Sequence, residues 1–194
     1  MHSTLALTLT RRLSARNALL TDTLLIIGGS LFVALVAQVS IPLPFTPVPI
    51  TGQTFAVLIV GAALGAKRGA ASLALYIAEG AIGLPVFSGG AGGMTRLFGP
   101  TGGYLVGFVV AAFVVGLLAE RGLDRHWRTS LIPFVVGSLA IYLCGVAQLA
   151  FFTGASAALE KGLYPFLIGD AIKLVLAAVA LPSAWAFVKG IDKQ

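Results

Sequence analysis

Two ionisable residues, Asp170 and Lys173, lie in an apolar segment near the end of the chain. From residue 164 to residue 188 they are the only charged side chains, which indicates a membrane-spanning helix that carries an acid and a base. A charge at the bilayer centre costs roughly 2.5–3.5 kcal/mol on insertion scales, so such residues usually pair or line a cavity. The two residues are three positions apart, so on a helix they share one face. They lie six to nine residues past the start of the segment, which is roughly 9–13 Å below one membrane surface. They form either a polar floor for a small-molecule pocket or an ion pair that only neutralises itself.

Charge-free apolar runs mark the helices that must position these side chains. Four prolines within residues 41–50 remove backbone donors and fix φ, so that segment cannot be helical. Residues 67–69 form a tight basic turn, and residues 83–103 form a glycine-rich loop. The sequence therefore predicts an all-α integral membrane protein with six transmembrane helices, five being the main alternative, at about residues 23–40, 52–66, 70–84, 104–119, 130–153 and 164–188.

The composition supports a membrane protein of one domain. The 194 residues are 58% hydrophobic and only 10% charged, against about 25% charged in a soluble domain, and the mean hydropathy is +0.98. We expect a single membrane domain over residues 1–194, in which a basic segment at 1–22 precedes the bundle at 23–189. Within that segment, residues 5–19 are expected to form an uncleaved helix at the membrane surface.

Basic residues are distributed unevenly between the two sides of the predicted bundle. Ten of the 13 Lys and Arg residues fall on one side, and Lys173 lies within the membrane. The positive-inside rule therefore places both termini in the cytoplasm. The ten are Arg11, Arg12, Arg16, Lys67, Arg68, Arg121, Arg125, Arg128, Lys189 and Lys193, whereas Arg96 and Lys161 lie on the other side.

This orientation brings a third ionisable residue to the depth of the pair. Glu79 lies near the outer end of the third helix, and Asp170 and Lys173 lie in the outer third of the sixth. The two long irregular loops, 41–50 and 83–103, would cover all three residues from outside. If the ion pair had only a structural function, neither the third charge nor the covering loops would be expected. We therefore expect a ligand pocket that opens to the exterior.

The donors and acceptors of this pocket match a cyclic urea that carries a carboxylate tail. Carboxylates accept hydrogen bonds and an ammonium donates them, which suits a ligand end with both N–H groups and a carbonyl. Arg96, whose fork matches a carboxylate, is the candidate for the other end, unless it is only a solvated loop charge. Gln53 either adds a hydrogen bond or caps its helix. The aromatic candidates for the apolar walls are Phe45, Tyr76, Phe87, Phe98 and Tyr104.

Several other kinds of activity lack the residues that they need. The sequence contains no G-x-x-x-x-G-K-[ST] phosphate loop. His2 and His126 lie at the terminus and in a predicted loop, so no metal set and no Ser–His nucleophile occur at pocket depth. The basic residues lack interleaved aromatics, which argues against nucleic-acid binding. We therefore expect no cofactor, no metal and no enzymatic activity. Two alternatives are disfavoured: an intramembrane acid–base enzyme that uses Glu79 or Asp170, and a purely structural membrane protein.

Four stretches occur in the order known from one protein family. They are residues 41–53, 76–87, 99–105 and 169–173, with the sequences IPLPFTPVPITGQ, YIAEGAIGLPVF, GPTGGYL and GDAIK. In these stretches the chain resembles the BioY family, the biotin-specific S components of energy-coupling factor (ECF) vitamin transporters. The resemblance covers nearly the whole chain, and it implies a six-helix S-component fold that binds biotin from outside. It also implies that Asp170 and Lys173 contact the ureido ring.

The resemblance further implies partners and a location. Such S components dock through an Ala-x-x-x-Ala stripe on the first helix to a transmembrane coupling protein that two ATPases drive, in a bacterial-type cytoplasmic membrane. Here Ser30 replaces the first alanine, so Ser30, Ala34 and Ala37 are the expected docking residues. An S component for another vitamin and a biotin transporter that works alone remain open alternatives.

Overall fold

The computed structural model describes residues 4–10 and 17–191, and most of the described part of the chain is helical. This confirms the predicted all-α class. The helices are α1 Leu5–Leu9, α2 Ala18–Ala37, α3 Gln53–Leu64, α4 Ala66–Ala81, α5 Thr95–Phe98, α6 Gly102–Ala119, α7 Trp127–Thr153, α8 Ala155–Gly162 and α9 Leu167–Ile191.

Four segments of the described chain are long and apolar enough to cross a membrane. They are Ala18–Ala37, Gly102–Ala119, Trp127–Thr153 and Ala155–Val188, the last of which contains both α8 and α9. The apolar helix Gln53–Leu64 is shorter, and α4 carries Lys67, Arg68 and Glu79. The chain is therefore a multi-pass membrane protein, while the count of six spans stays a prediction.

The proline-rich segment forms a loop between two very short strands. Strand β1, Ser40–Ile41, pairs with β2, Ile50–Thr51, in an antiparallel register that sets Ser40 opposite Thr51. Thr46 Oγ1 donates to the carbonyl of Lys161 at 2.7 Å, which ties the loop to α8. The prolines exclude a helix here, as expected, and the strand pair delivers the chain to the start of α3.

The turn between α3 and α4 lies earlier than the sequence predicts. It is formed at Gly65, whose φ of +85° is favourable for glycine. Lys67, Arg68 and Gly69, expected to form the turn, instead lie in the first turns of α4. A single residue of left-handed conformation therefore reverses the chain, and the basic residues stay helical.

Helix α6 lies at the centre of the bundle, where it packs against α3, α4 and α7. Its contact with α7 is close because glycines face the neighbouring backbone: a Cβ at Gly103 would lie 2.3 Å from the carbonyl oxygen of Cys144. Small residues allow helices to approach closely in lipid, where van der Waals contact contributes to association. The α6–α7 pair forms a firm support for one wall of the site.

Two segments differ from the sequence prediction at the ends of the bundle. Helix α8, between the fifth and sixth predicted helices, was not expected. Of the expected surface helix at 5–19, residues 5–9 form α1 and residues 18–19 begin α2. Leu5 and Ala6 of α1 are buried against the bundle core, so these side chains pack into the protein. The location of this segment at the membrane surface stays a prediction, and Arg11, Arg12 and Arg16 lie outside the described residues.

Candidate functional site

The acid and base of α9 form an ion pair in its first turns. Lys173 Nζ lies 2.8 Å from Asp170 Oδ1, at the i, i+3 spacing of one helix face. Asp170 is 6% exposed, and the Lys173 side chain is 19% exposed. The expected pairing is thus present, and further groups surround both charges.

The beginning of α3 supplies partners for this pair. Lys173 Nζ donates to the Thr51 carbonyl at 2.7 Å and to Thr54 Oγ1 at 3.1 Å. Thr54 Oγ1 in turn donates to Asp170 Oδ1 at 3.2 Å. An ammonium has three protons to donate, and with Asp170 as the third acceptor Lys173 uses all of them. The β1–β2 pair positions Thr51, which links the proline-rich loop to the charged pair.

Tyr142 of α7 holds the other oxygen of the carboxylate. Its hydroxyl donates to Asp170 Oδ2. Tyr142 and Asp170 also line a second, almost entirely apolar crevice between α7 and α9, which has about 1040 Å³ of empty space including its open mouth. They therefore separate this crevice from the cavity above the ion pair. The sequence analysis did not identify Thr54 or Tyr142. Each is a polar side chain on an apolar helix, and such groups usually form a hydrogen bond inside the protein, which could have pointed to them.

A cavity opens above this polar floor, between the beginnings of α3, α6 and α9, the middle of α7, the proline-rich loop and the loop that carries α5. It encloses about 770 Å³ of empty space, including its open mouth. Arg96 of α5 is exposed and lines the same cavity, so a cation lies near the mouth and an ion pair lies at the floor. Six of the predicted site residues line the cavity, namely Gln53, Phe87, Arg96, Tyr104, Asp170 and Lys173.

Gln53 and Phe87 are held in the cavity wall by Tyr76. Gln53 Nε2 donates to the Tyr76 hydroxyl at 2.7 Å, so this side chain does not cap α3. The Tyr76 and Phe87 rings meet edge to face, with centroids 5.4 Å apart. A Cβ at Gly80 would lie 2.0 Å from the Phe87 ring, which only a glycine accommodates. Tyr76, expected in the wall, therefore lies behind it and positions two residues that line it.

Tyr104 lines the cavity with its ring, and α8 binds its hydroxyl. The hydroxyl donates to the Gly162 carbonyl at 2.8 Å. The ring packs closely against Gly145 of α7, where an added Cβ would clash with it. Tyr104 thus joins α6, α7 and α8 at the wall. Phe45 and Phe98, two other aromatic candidates, are exposed and do not line the cavity.

Glu79 does not join the charged pair at the cavity floor. Its carboxylate accepts a hydrogen bond from the Ser30 hydroxyl of α2, and it is absent from the cavity lining. The sequence prediction considered only depth along the helices. The rotation of α4 directs Glu79 towards α2, so the convergence of three charges is wrong.

The expected docking stripe on α2 faces the inside of the bundle. Ser30 and Ala37 are 0% exposed and Ala34 is 9% exposed. At Gly29, in the same row, a Cβ would lie 2.5 Å from Ser72 Oγ of α4. Small residues here allow α2 to approach α4, so the expectation of an exposed stripe is wrong. The outward face of α2 instead carries Leu24, Ile27, Leu31 and Leu35.

No cluster of three or more His, Cys, Asp and Glu side chains within the described residues has the arrangement of a metal site. Of the two histidines, His126 is exposed at the start of α7. The chemistry of the cavity is therefore that of hydrogen bonding and charge pairing around an apolar space.

The chain is similar to known transporters along most of its length. It is 44% identical to a protein named biotin transporter BioY from Thermotoga maritima, over 79% of this chain and 91% of that protein. It is 39% identical to a protein of the same name from Rhizobium etli, over 86% of this chain and 91% of that protein. Both names are those of transporters rather than enzymes.

The fold is also similar to a solved structure, the S-component for biotin from an ECF-type ABC transporter. The TM-score is 0.77 at 28% sequence identity, and the match covers 92% of this chain and 94% of that chain. The sequence pattern of the BioY family matches residues 7–190. From this match, which spans nearly the whole chain, the protein belongs to the BioY family.

Proposed function

We propose that this protein binds biotin in the cavity above Asp170 and Lys173 and mediates its uptake as the S component of an ECF transporter. The observation that carries the proposal is the ion pair at the cavity floor: its carboxylate is buried, all three protons of its ammonium have acceptors, and the cavity above it is mainly apolar with a cation near its mouth. The relatives named as biotin transporters and the biotin S-component of similar fold support the same ligand.

The floor suits the bicyclic end of biotin. Its cyclic urea offers two N–H donors, which Asp170 would accept, and a carbonyl, to which Lys173 would donate. In the ligand-free protein Lys173 already uses its three protons on Thr51, Thr54 and Asp170. Binding therefore requires that the ureido carbonyl replace one of these acceptors, most simply the Thr54 hydroxyl, which has the longest of the three contacts.

The walls and mouth suit the rest of the ligand. Phe87 and Tyr104 would contact the sulphur-containing ring and the valerate chain, with Gln53 as a further donor or acceptor. The guanidinium of Arg96 would bind the valerate carboxylate, which matches its planar fork. Tyr76 would act from behind the wall by positioning Gln53 and Phe87.

We further propose that six helices cross the membrane and that both termini lie in the cytoplasm. The 12 residues of α3 extend about 18 Å at 1.5 Å per residue, which is short of a hydrocarbon core of about 30 Å. The β1–β2 pair and the proline-rich loop would complete this crossing at the cavity side. The distribution of basic residues supports the orientation.

As an S component, the protein would work with a transmembrane coupling protein and ATPase subunits in a bacterial-type cytoplasmic membrane. The structural relative belongs to an ECF-type ABC transporter, which supports such partners. Uptake of labelled biotin by a host without its own biotin transporter, with and without coexpressed coupling subunits, tests this part. Equal uptake in both cases would show that the protein transports biotin alone.

Titration of the purified protein with biotin, desthiobiotin and thiamine tests the ligand. The parent should bind biotin and also desthiobiotin, which keeps the ureido ring but lacks the sulphur, and it should not bind thiamine. Asp170→Asn and Lys173→Met should each weaken biotin binding by about 30- to 5,000-fold, since losing a charged, buried partner costs about 2–5 kcal/mol.

The double variant separates this proposal from an ion pair of structural function alone. If the pair only stabilises the fold, the single variants should express poorly and the double variant should recover both expression and biotin binding. A folded double variant that binds biotin like the parent would exclude these residues from the site. Binding of thiamine in place of biotin would favour another vitamin.

The cation near the mouth has its own test. Arg96→Ala should weaken the binding of biotin but leave the binding of a biotin amide largely unchanged, because the amide has no carboxylate for Arg96. Isothermal titration with the two ligands measures the difference. Equal losses for both ligands would indicate that Arg96 acts on the structure of its loop.

A further inference from the structure

The bundle end opposite the cavity contains carboxylates that are already bound within the protein. Asp22 of α2 forms an ion pair with Arg68 of α4 at 2.7 Å. Glu120 accepts a hydrogen bond from the backbone N–H of Ala66 at 2.9 Å. These contacts bring together the beginnings of α2 and α4 and the end of α6, and each carboxylate thus has a partner within the bundle.

The third described carboxylate at this end, Asp124, is buried. It is 1% exposed and accepts a hydrogen bond from Trp185 Nε1 of α9 at 2.6 Å. The guanidinium of Arg125 lies 4.4 Å from the centre of the Trp185 ring, so it too packs against the fold. Asp124 therefore joins the α6–α7 loop to α9 rather than offering a negative charge to the surface.

Three cations at the same end have no carboxylate partner in the described part of the chain. Lys67, Arg121 and Arg128 are exposed, and the ion pairs of that part involve other residues. At the same end, Trp127, the first residue of α7 and the chain neighbour of Arg128, is 68% exposed. Arg128 lies over its ring at 5.2 Å. The same end of the bundle thus carries three exposed cations and an exposed indole at the point where a membrane-spanning helix begins.

This combination matches a bilayer surface that carries negative charge. Indole rings concentrate at the level of the lipid headgroups, and each Lys or Arg near an anionic surface contributes roughly fivefold in association. We propose that Lys67, Arg121, Trp127 and Arg128 bind the headgroups of anionic phospholipids. The cavity end is different, because apart from the ion pair at the cavity floor its described cations are fewer: Arg96, which lines the cavity, and Lys161, which is only partly exposed. The inference is independent of the ligand in the cavity.

Lipid association in reconstituted bilayers tests the proposal. The protein is placed in phosphatidylcholine bilayers, and spin-labelled phosphatidylglycerol and phosphatidylcholine report their association by electron paramagnetic resonance. The parent should prefer phosphatidylglycerol, and the preference should decrease as salt shortens the screening length from about 10 Å at 0.1 M to about 3 Å at 1 M. Arg121→Gln should lower the relative association constant by up to about fivefold, and the variant with Lys67, Arg121 and Arg128 all changed to Gln should lose most of it.

Lys161→Gln is the matched control, since it removes one cation from the other end and should leave the preference nearly unchanged. Thermal unfolding of each variant verifies that it is folded. Equal association of the two labelled lipids with the parent would overturn the proposal. So would a folded triple variant that keeps the preference, and the exposed cations would then be assigned to a protein partner.

Discussion

At the scale of single residues, the charged pair is stable in the membrane because each of its hydrogen-bonding groups has a partner. Lys173 donates to three oxygens, and Asp170 accepts from Lys173, Thr54 and Tyr142. Hydrogen bonds to charged groups contribute about 1.5–3 kcal/mol each, and an unsatisfied buried group costs a comparable amount. The surrounding residues therefore set the position of the pair before a ligand arrives.

Tyr142→Phe tests whether this preorganisation affects binding. The variant keeps the ring between the cavity and the apolar crevice but removes the proton that holds Asp170 Oδ2. We expect about 10- to 100-fold weaker biotin binding, from the 1.5–3 kcal/mol of a charged hydrogen bond, measured by isothermal titration. Tyr164→Phe, at an exposed position outside the cavity, is the control and should bind like the parent. An unchanged affinity in Tyr142→Phe would show that the hydroxyl does not position Asp170 in the complex.

At the scale of elements, α9 carries the pair and also contains a proline, Pro182. Proline has no N–H, so the carbonyl four residues earlier, at Ala178, loses its helical donor. Ser130 of α7 compensates: its Oγ lies 2.9 Å from that carbonyl oxygen and 3.1 Å from the Trp127 carbonyl. Membrane helices tolerate proline where a neighbouring hydroxyl satisfies the freed group. This contact fixes α9 against α7 below the site.

A double-mutant cycle tests the contact. Ser130→Ala should lower the free energy of unfolding by about 0.6 kcal/mol, the average for hydrogen bonds between membrane helices, and by at most about 1.7 kcal/mol. In a Pro182→Ala background the new N–H can bind the Ala178 carbonyl, so Ser130→Ala should cost much less. Denaturant unfolding in detergent measures both. Ser183→Ala, which removes an exposed hydroxyl bonded within α9, is the control; an equal cost of Ser130→Ala in both backgrounds would contradict the compensation.

At the scale of the whole molecule, the bundle has two chemically different ends. The cavity, its covering loops and Arg96 occupy one end, whereas the exposed cations Lys67, Arg121 and Arg128 occupy the other. Basic residues remain preferentially on the cytoplasmic side of a membrane, and this polarity supports the proposal that the cavity opens to the exterior. In the proposed topology α3, although short, would be a full crossing between the proline-rich loop and the turn at Gly65.

Cysteine labelling tests this topology. In a Cys144→Ala background, single cysteines replace Phe45 and Lys67, which flank α3, or Lys161 and Arg121 at the two ends of the bundle. A membrane-impermeant maleimide applied to intact cells should label the cysteines at 45 and 161, and those at 67 and 121 only after the cells are lysed. Labelling of position 67 from outside would remove the α3 crossing and with it the count of six.

The sequence by itself determined the features that depend on local composition. Apolar runs without charges located the long helices, and the prolines of residues 41–50 excluded a helix there. The i, i+3 spacing placed Asp170 and Lys173 on one face, where the structure has them paired. Helical periodicity, charge burial and proline geometry act over a few residues, so they can be read without knowing which elements are neighbours.

The tertiary structure alone decided which side chains meet across helices. Glu79 has the right depth for the cavity, but the rotation of α4 turns it to Ser30, and the same packing buries the small residues of α2. Thr54 and Tyr142 reach Asp170 only because α3 and α7 lie beside α9. The physical reason is that sequence periodicity shows which residues share one face of a helix. Which neighbour that face contacts is set by close packing between helices, and no single segment encodes this packing.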